Sequence, residues 1–108
     1  MKLNLVILVV NLSNRRSRFE IYVDVLTEIM NGSNKPTKIM YGANLSYKPL
    51  QGILQSLLDQ GLIAEEEGRI KDKRTKVKYL LTQKGLNVVR YYSKAKDLVE
   101  ISNPKDLD

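Results

Sequence analysis

Apolar residues recur along this chain in two periods, and the change from one to the other divides it into elements. Phe19, Tyr22, Val23, Leu26, Ile29 and Met30 fall at helical spacing, and Ser17 with Glu20 three residues later forms a capping-box pattern at the start. This predicts a first helix that begins after Ser17 and ends at Asn31, Gly32 and Ser33. Glu20, Asp24 and Glu28 lie on its other side at four-residue steps, an acidic spine expected to point away from any bound polyanion. A short second helix is expected from about Thr37, with Pro36 at or just before its first turn and Ile39, Met40 and Ala43 as its apolar face. Residues 42–45 then make a turn.

The clearest pattern follows. Leu50, Ile53, Leu54, Leu57 and Leu58 sit at i, i+3, i+4, i+7 and i+8, with Ser46 as cap, Pro49 still in the first turn and Gly61 as the stop. Beyond it the period shortens: residues 62–65 read as a short strand, and Val77, Tyr79 and Leu81 alternate as a half-buried strand does. A polar, glycine-bearing hairpin tip joins the two. Thr82 caps a last helix expected to reach about Ser102, before Asn103 and Pro104.

The order helix, helix, helix, hairpin, helix predicts a mainly α, α+β winged helix-turn-helix. Its expected divisions are an apolar segment at residues 1–14, the winged domain at 15–81, a C-terminal helix at 82–103 and a tail at 104–108. At 108 residues the chain has the length of one domain. The run LNLVILVV at residues 3–10 is too short to cross a bilayer, which takes about 20 apolar residues. It lacks the flanks of a signal peptide, and its β-branched content suits a strand that completes a sheet within the molecule or across a dimer.

Charge decides what such a frame is for. Eighteen Lys and Arg stand against twelve Asp and Glu, a net charge of +6 that suits a polyanion. Arg69, Lys71, Lys73, Arg74, Lys76 and Lys78 crowd the hairpin with Asp72 as the single acid among them, so the wing can reach phosphates or a minor groove. Opposite its leucines, the third helix shows Tyr47, Lys48, Gln51, Gln55 and, at the margin, Ser56, with Ser46 at its cap and no acid before Asp59. Lys and Gln can read base edges, and Tyr and Ser can hold phosphates; the plainer alternative is a solvated helix face. Lys35, Thr37 and Lys38 stand where a phosphate could be anchored, although Thr37 could serve only as a cap. Arg15, Arg16 and Arg18 are either a further phosphate patch or a hydrophilic lead-in that insulates the apolar first segment.

Catalytic chemistry finds little here. Cysteine and histidine are absent, which removes thiolate nucleophiles, imidazole bases and the usual zinc ligands. Glu65, Glu66 and Glu67 are the clustered carboxylates, set on a hairpin beside many cations without a partner to make them acid and base. The expectation is a non-enzymatic protein with no cofactor, no metal, no small-molecule substrate and no membrane, located in the cytoplasm with the nucleoid.

The stretch KPTKIMYGANLSY at residues 35–47, followed by LQGILQSLLDQGLI and by YLLTQKG at 79–85, resembles the small archaeal winged-helix DNA-binding proteins of the crenarchaeal chromatin type. The likeness covers about residues 17–95. It implies binding of double-stranded DNA without catalysis, and a homodimer joined by an antiparallel coiled coil of C-terminal helices. Here the corresponding seam, Val88, Tyr92, Ala95 and Val99, spans little more than one and a half heptads before Pro104. Leu86, Val89 and Tyr92 could instead pack on the domain's own core. A sequence-specific regulator of the same fold and a winged-helix protein-docking module are the alternatives to a chromatin role.

Overall fold

The structure, a computed structural model, describes residues 16–67 and 77–99. The apolar segment at residues 3–10, the hairpin tip with Arg69, Lys71, Lys73, Arg74 and Lys76, and the tail at 104–108 lie outside the described residues. Four helices and one hairpin follow in the expected order: α1 (Arg18–Met30), α2 (Pro36–Gly42), α3 (Tyr47–Asp59), β1 (Ile63–Glu67), β2 (Val77–Leu81) and α4 (Gln83–Leu98). The strands pair antiparallel, with Ile63 opposite Leu81, Glu65 opposite Tyr79 and Glu67 opposite Val77. On its other edge β2 takes one further bond, as the Tyr79 N–H donates to the Asn34 carbonyl at 2.9 Å.

Apolar periodicity explains the assembly. Val25 and Leu26 of α1, Ile39 of α2, and Leu50, Leu54 and Leu57 of α3 are fully buried in one core, closed by Ile63, Tyr79 and Val89. Each such aliphatic side chain contributes about 1.5–3 kcal/mol of burial free energy. The α1 cap is the full reciprocal box: the Glu20 N–H donates to Ser17 Oγ at 3.0 Å and the Ser17 N–H to Glu20 Oε1 at 3.3 Å.

Three helices stop in the same way. In α1, α2 and α3 the residue after the C-cap takes a left-handed backbone, Gly32 at φ 102°, Asn44 at φ 55° and Gly61 at φ 70°. In each case the next two N–H groups return to the last turn: Gly32 to Ile29 and Ser33 to Glu28, Asn44 to Tyr41 and Leu45 to Met40, Gly61 to Leu58 and Leu62 to Leu57. This is the Schellman arrangement, which satisfies carbonyls the helix leaves over. Only the stop inside the helix-turn-helix uses a residue with a side chain.

Three boundaries differ from the sequence expectation. The first strand runs Ile63–Glu67 rather than 62–65, because Leu62 closes the end of α3 and the ladder continues to Val77. The second helix begins at Pro36 with Lys35 as N-cap, so Thr37 is not its cap. The last helix ends at Leu98 instead of near Ser102, with Val99 already extended at φ −97°, ψ 117°. Past Tyr92 every residue of α4 is exposed, so no core supports it. Asp97 also opposes the helix dipole there, and a β-branched Val99 prefers extended backbone.

Candidate nucleic-acid interface

With its leucines buried, α3 presents Tyr47, Lys48, Gly52, Gln55 and Asp59 to solvent, and Gln51 half-buried at one flank. Ser46 is the N-cap, but its hydroxyl makes no cap hydrogen bond. Pro49 has no N–H and the Leu50 N–H bonds to the Ser46 carbonyl, so the uncapped groups are the Tyr47 and Lys48 N–H, a local positive end suited to an anion. Gln55 Nε2 donates to Asp59 Oδ1 at 2.8 Å one turn on, which holds that amide along the helix. Gly52 stands in the middle of the exposed face, and a Cβ built there meets nothing within 4 Å.

Two clefts flank this helix. On one side Lys35, Thr37, Tyr47 and Gln51 come together with Val77 and Tyr79 around a cleft of about 470 Å³. The expected anchor before α2, the start of α3 and the root of the wing thus form one surface, with Lys38 exposed beside it on α2. Tyr79 was legible only as the inward position of a half-buried strand, and the residue is 7% exposed. Burial first, then the neighbouring Glu65 carboxylate and Tyr47, raise its phenol above the ordinary value of 10.0. On the other side a cleft of about 510 Å³ between α1 and α3 has a floor that includes Ile21, Tyr22 and Ile53 and a rim of Arg18 and Lys48.

The three N-terminal arginines part company. Arg18 is exposed on the rim of that cleft. Arg16 turns inward: Nη1 donates to Asp24 Oδ2 and to the Ala43 carbonyl, both at 2.7 Å, and Nη2 to the Asn44 carbonyl at 3.1 Å. Three of its N–H donors are thus engaged within the protein, one by Asp24 of α1 and two by the turn between α2 and α3. Arg15 lies outside the described residues. The acidic spine of α1 is occupied as well. Asp24 holds Arg16, and Glu28 accepts from Ser33 Oγ at 3.1 Å and lies against Gly42 of α2.

The far end of α3 is joined to α4. Thr82 Oγ1 donates to the Gly61 carbonyl at 2.6 Å and accepts the Gly85 N–H at 3.1 Å, while Lys84 Nζ donates to the Gln60 carbonyl at 2.7 Å. A Cβ on Gly85 would run into the Leu62 carbonyl. Along α4, Val88 packs against the core and the Tyr92 ring meets Phe19 edge-on, centroids 5.6 Å apart. Ala95 and Val99 are exposed, together with Tyr91 and Leu98. Among the described residues no group of three or more potential metal ligands occurs, and no helix is long and apolar enough to cross a membrane.

A helix-turn-helix whose second member shows a basic and amide-bearing face, followed by a two-stranded wing, defines a winged helix. The chain belongs to the winged helix-turn-helix family, whose pattern it matches over residues 15–100. It is 33% identical over 91 residues to an uncharacterized protein of Methanocaldococcus jannaschii, a match covering 84% of this chain and 81% of that one. Solved structures share the fold. Lactococcus lactis ZitR, a zinc-responsive MarR family member, superposes with a TM-score of 0.62 at 18% identity, over 78% of this chain and 56% of ZitR. A MarR family regulator from Neisseria meningitidis gives 0.59 at 21% identity, over 90% of this chain and 68% of that one. ZitR in complex with DNA gives 0.58 at 20% identity, over 72% of this chain and 52% of ZitR. The chain thus spans little more than half the length of ZitR.

Proposed function

We propose that this chain binds double-stranded DNA as a homodimer and regulates transcription from particular sites, without catalysing a reaction. The outward face of α3 carries the reading: Tyr47, Lys48, Gln51 and Gln55 on a helix with no acid before Asp59. Lys48, Gln51 and Gln55 meet base edges in the major groove, and Ser46, Tyr47, Lys35, Thr37 and Lys38 hold the backbone beside it. The wing, with Arg69, Lys71, Lys73, Arg74 and Lys76, adds backbone or minor-groove contacts. The net charge of +6 supports a polyanionic partner. Apolar side chains left exposed, Phe19 on α1 beside Tyr92 and Tyr91, Leu98 and Val99 on and after α4, support assembly through the C-terminal helix along Val88, Tyr92, Ala95 and Val99. Regulation is favoured over a chromatin role because solved structures sharing the fold are named as MarR family regulators.

Fluorescence anisotropy with duplexes enriched from a random library, repeated across salt concentrations, tests this. The expected result is a log affinity that falls with log salt by about 0.9 per phosphate contacted, and a preference for the enriched duplex of about 10³ or more. Equal affinity for every duplex would return the chain to the architectural role that its resemblance implies. Absence of binding at low salt would leave a protein-docking module.

A further inference from the structure

We propose that Arg16, acting with Asp24, is the positioning residue that aims the reading helix. Its guanidinium is 22% exposed and makes three bonds, to Asp24 of α1 and to the carbonyls of Ala43 and Asn44 in the turn between α2 and α3. Those carbonyls close a helix C-terminus, where a cation is favoured and where acceptors would otherwise need water. The planar fork of arginine reaches several acceptors at once, which an ammonium cannot do with the same geometry.

The turn it holds is the one that needs holding. Of the three Schellman stops, those after α1 and α3 use glycine, whereas Asn44 adopts φ 55° with a side chain attached. Left-handed backbone costs about 1 to 2 kcal/mol for an ordinary L residue, somewhat less for Asn. Tyr47 and Lys48 begin α3 three and four residues later, so any rotation of this turn moves them together. Asp24 completes the device, since it neutralises a guanidinium that would otherwise sit half-buried and uncompensated. Arg16 lines the cleft between α1 and α3 as Arg18 does, but three of its five N–H donors are already engaged within the protein, whereas Arg18 is exposed.

This inference rests on the DNA reading above, and its test separates the two. R16Q and D24A are titrated against the enriched duplex across a salt series. Each is expected to weaken binding about tenfold at fixed salt with the wild-type salt slope retained, and the double variant to weaken it no further. A slope lower by about 0.9 in R16Q would make Arg16 a phosphate ligand and overturn the proposal. So would wild-type affinity in D24A. Hydrogen exchange of the free proteins gives a readout independent of DNA: the Asn44 and Leu45 amides, bonded to Tyr41 and Met40, should exchange faster in R16Q and D24A, with the Leu86 amide unchanged. If the wild type binds no duplex, the functional reading fails by itself. Unaltered exchange at Asn44 and Leu45 would then overturn the clamp.

Discussion

The two ends of α3 are fastened in opposite ways. At its C-terminal end Thr82, Lys84 and Gly85, all from the start of α4, close on the carbonyls of Gln60, Gly61 and Leu62. Backbone lies against backbone there, with no space for a methyl group. At its N-terminal end one side chain from before α1 spans 27 and 28 residues to reach Ala43 and Asn44. The first fastening is stiff and made by close packing; the second is a set of charged hydrogen bonds that one substitution removes. Loss of the front contact leaves Leu50 and Leu54 buried in the core, so the substitution should shift the turn before α3 without unfolding the helix.

That contrast predicts a ranking. The largest loss is expected for G85A, whose new Cβ meets a carbonyl that cannot rotate away. About 3 kcal/mol of unfolding free energy should disappear in a urea titration. R16Q should cost about 1 to 2 kcal/mol, because its bonds are charge-assisted but partly solvated. A loss in R16Q as large as that in G85A would mean that the two ends are equally rigid. T82A removes an N-cap acceptor and should cost about 1 kcal/mol, whereas K84A, losing one exposed bond to a helix end, should change stability by less than about 0.5 kcal/mol.

The front end also carries a pH dependence. Tyr79, beside Tyr47 and Glu65, has a phenol raised above 10.0 in the folded protein. The native state thus holds that proton more tightly than the unfolded chain does. Its contribution to stability is complete below pH 10 and is lost as pH rises through the higher folded value. Alkaline denaturation followed by circular dichroism should show this loss in the wild type and a flatter curve in Y79F. Identical alkaline profiles would place the shift elsewhere.

Much of this fold was legible because apolar spacing reports which face of an element is buried. The leucines of α3, the Ser17 and Thr82 caps and the alternation in β2 all appear where periodicity and capping residues put them. The outward residues of α3 followed as the remainder of the same wheel. Periodicity is silent about what an element packs against. Nothing local distinguishes Arg16 from Arg18, since the partners of Arg16 come together only when α1 and α2 dock. The acidic steps of α1 read only as a spine turned away from a bound polyanion for the same reason, although Asp24 and Glu28 sit at the junction with α2. The end of α4 was placed too late because helix signals persist beyond the last residue with a core to lean on.

Gly52 leaves a gap in the outward face of α3. No neighbour crowds it, so the free protein has no steric reason to refuse a side chain there. Alanine would strengthen the helix by up to about 1 kcal/mol. The bare Cα leaves the outermost line of α3 low enough for close approach by another molecule, and one added side chain there would change what that line touches without disturbing the core.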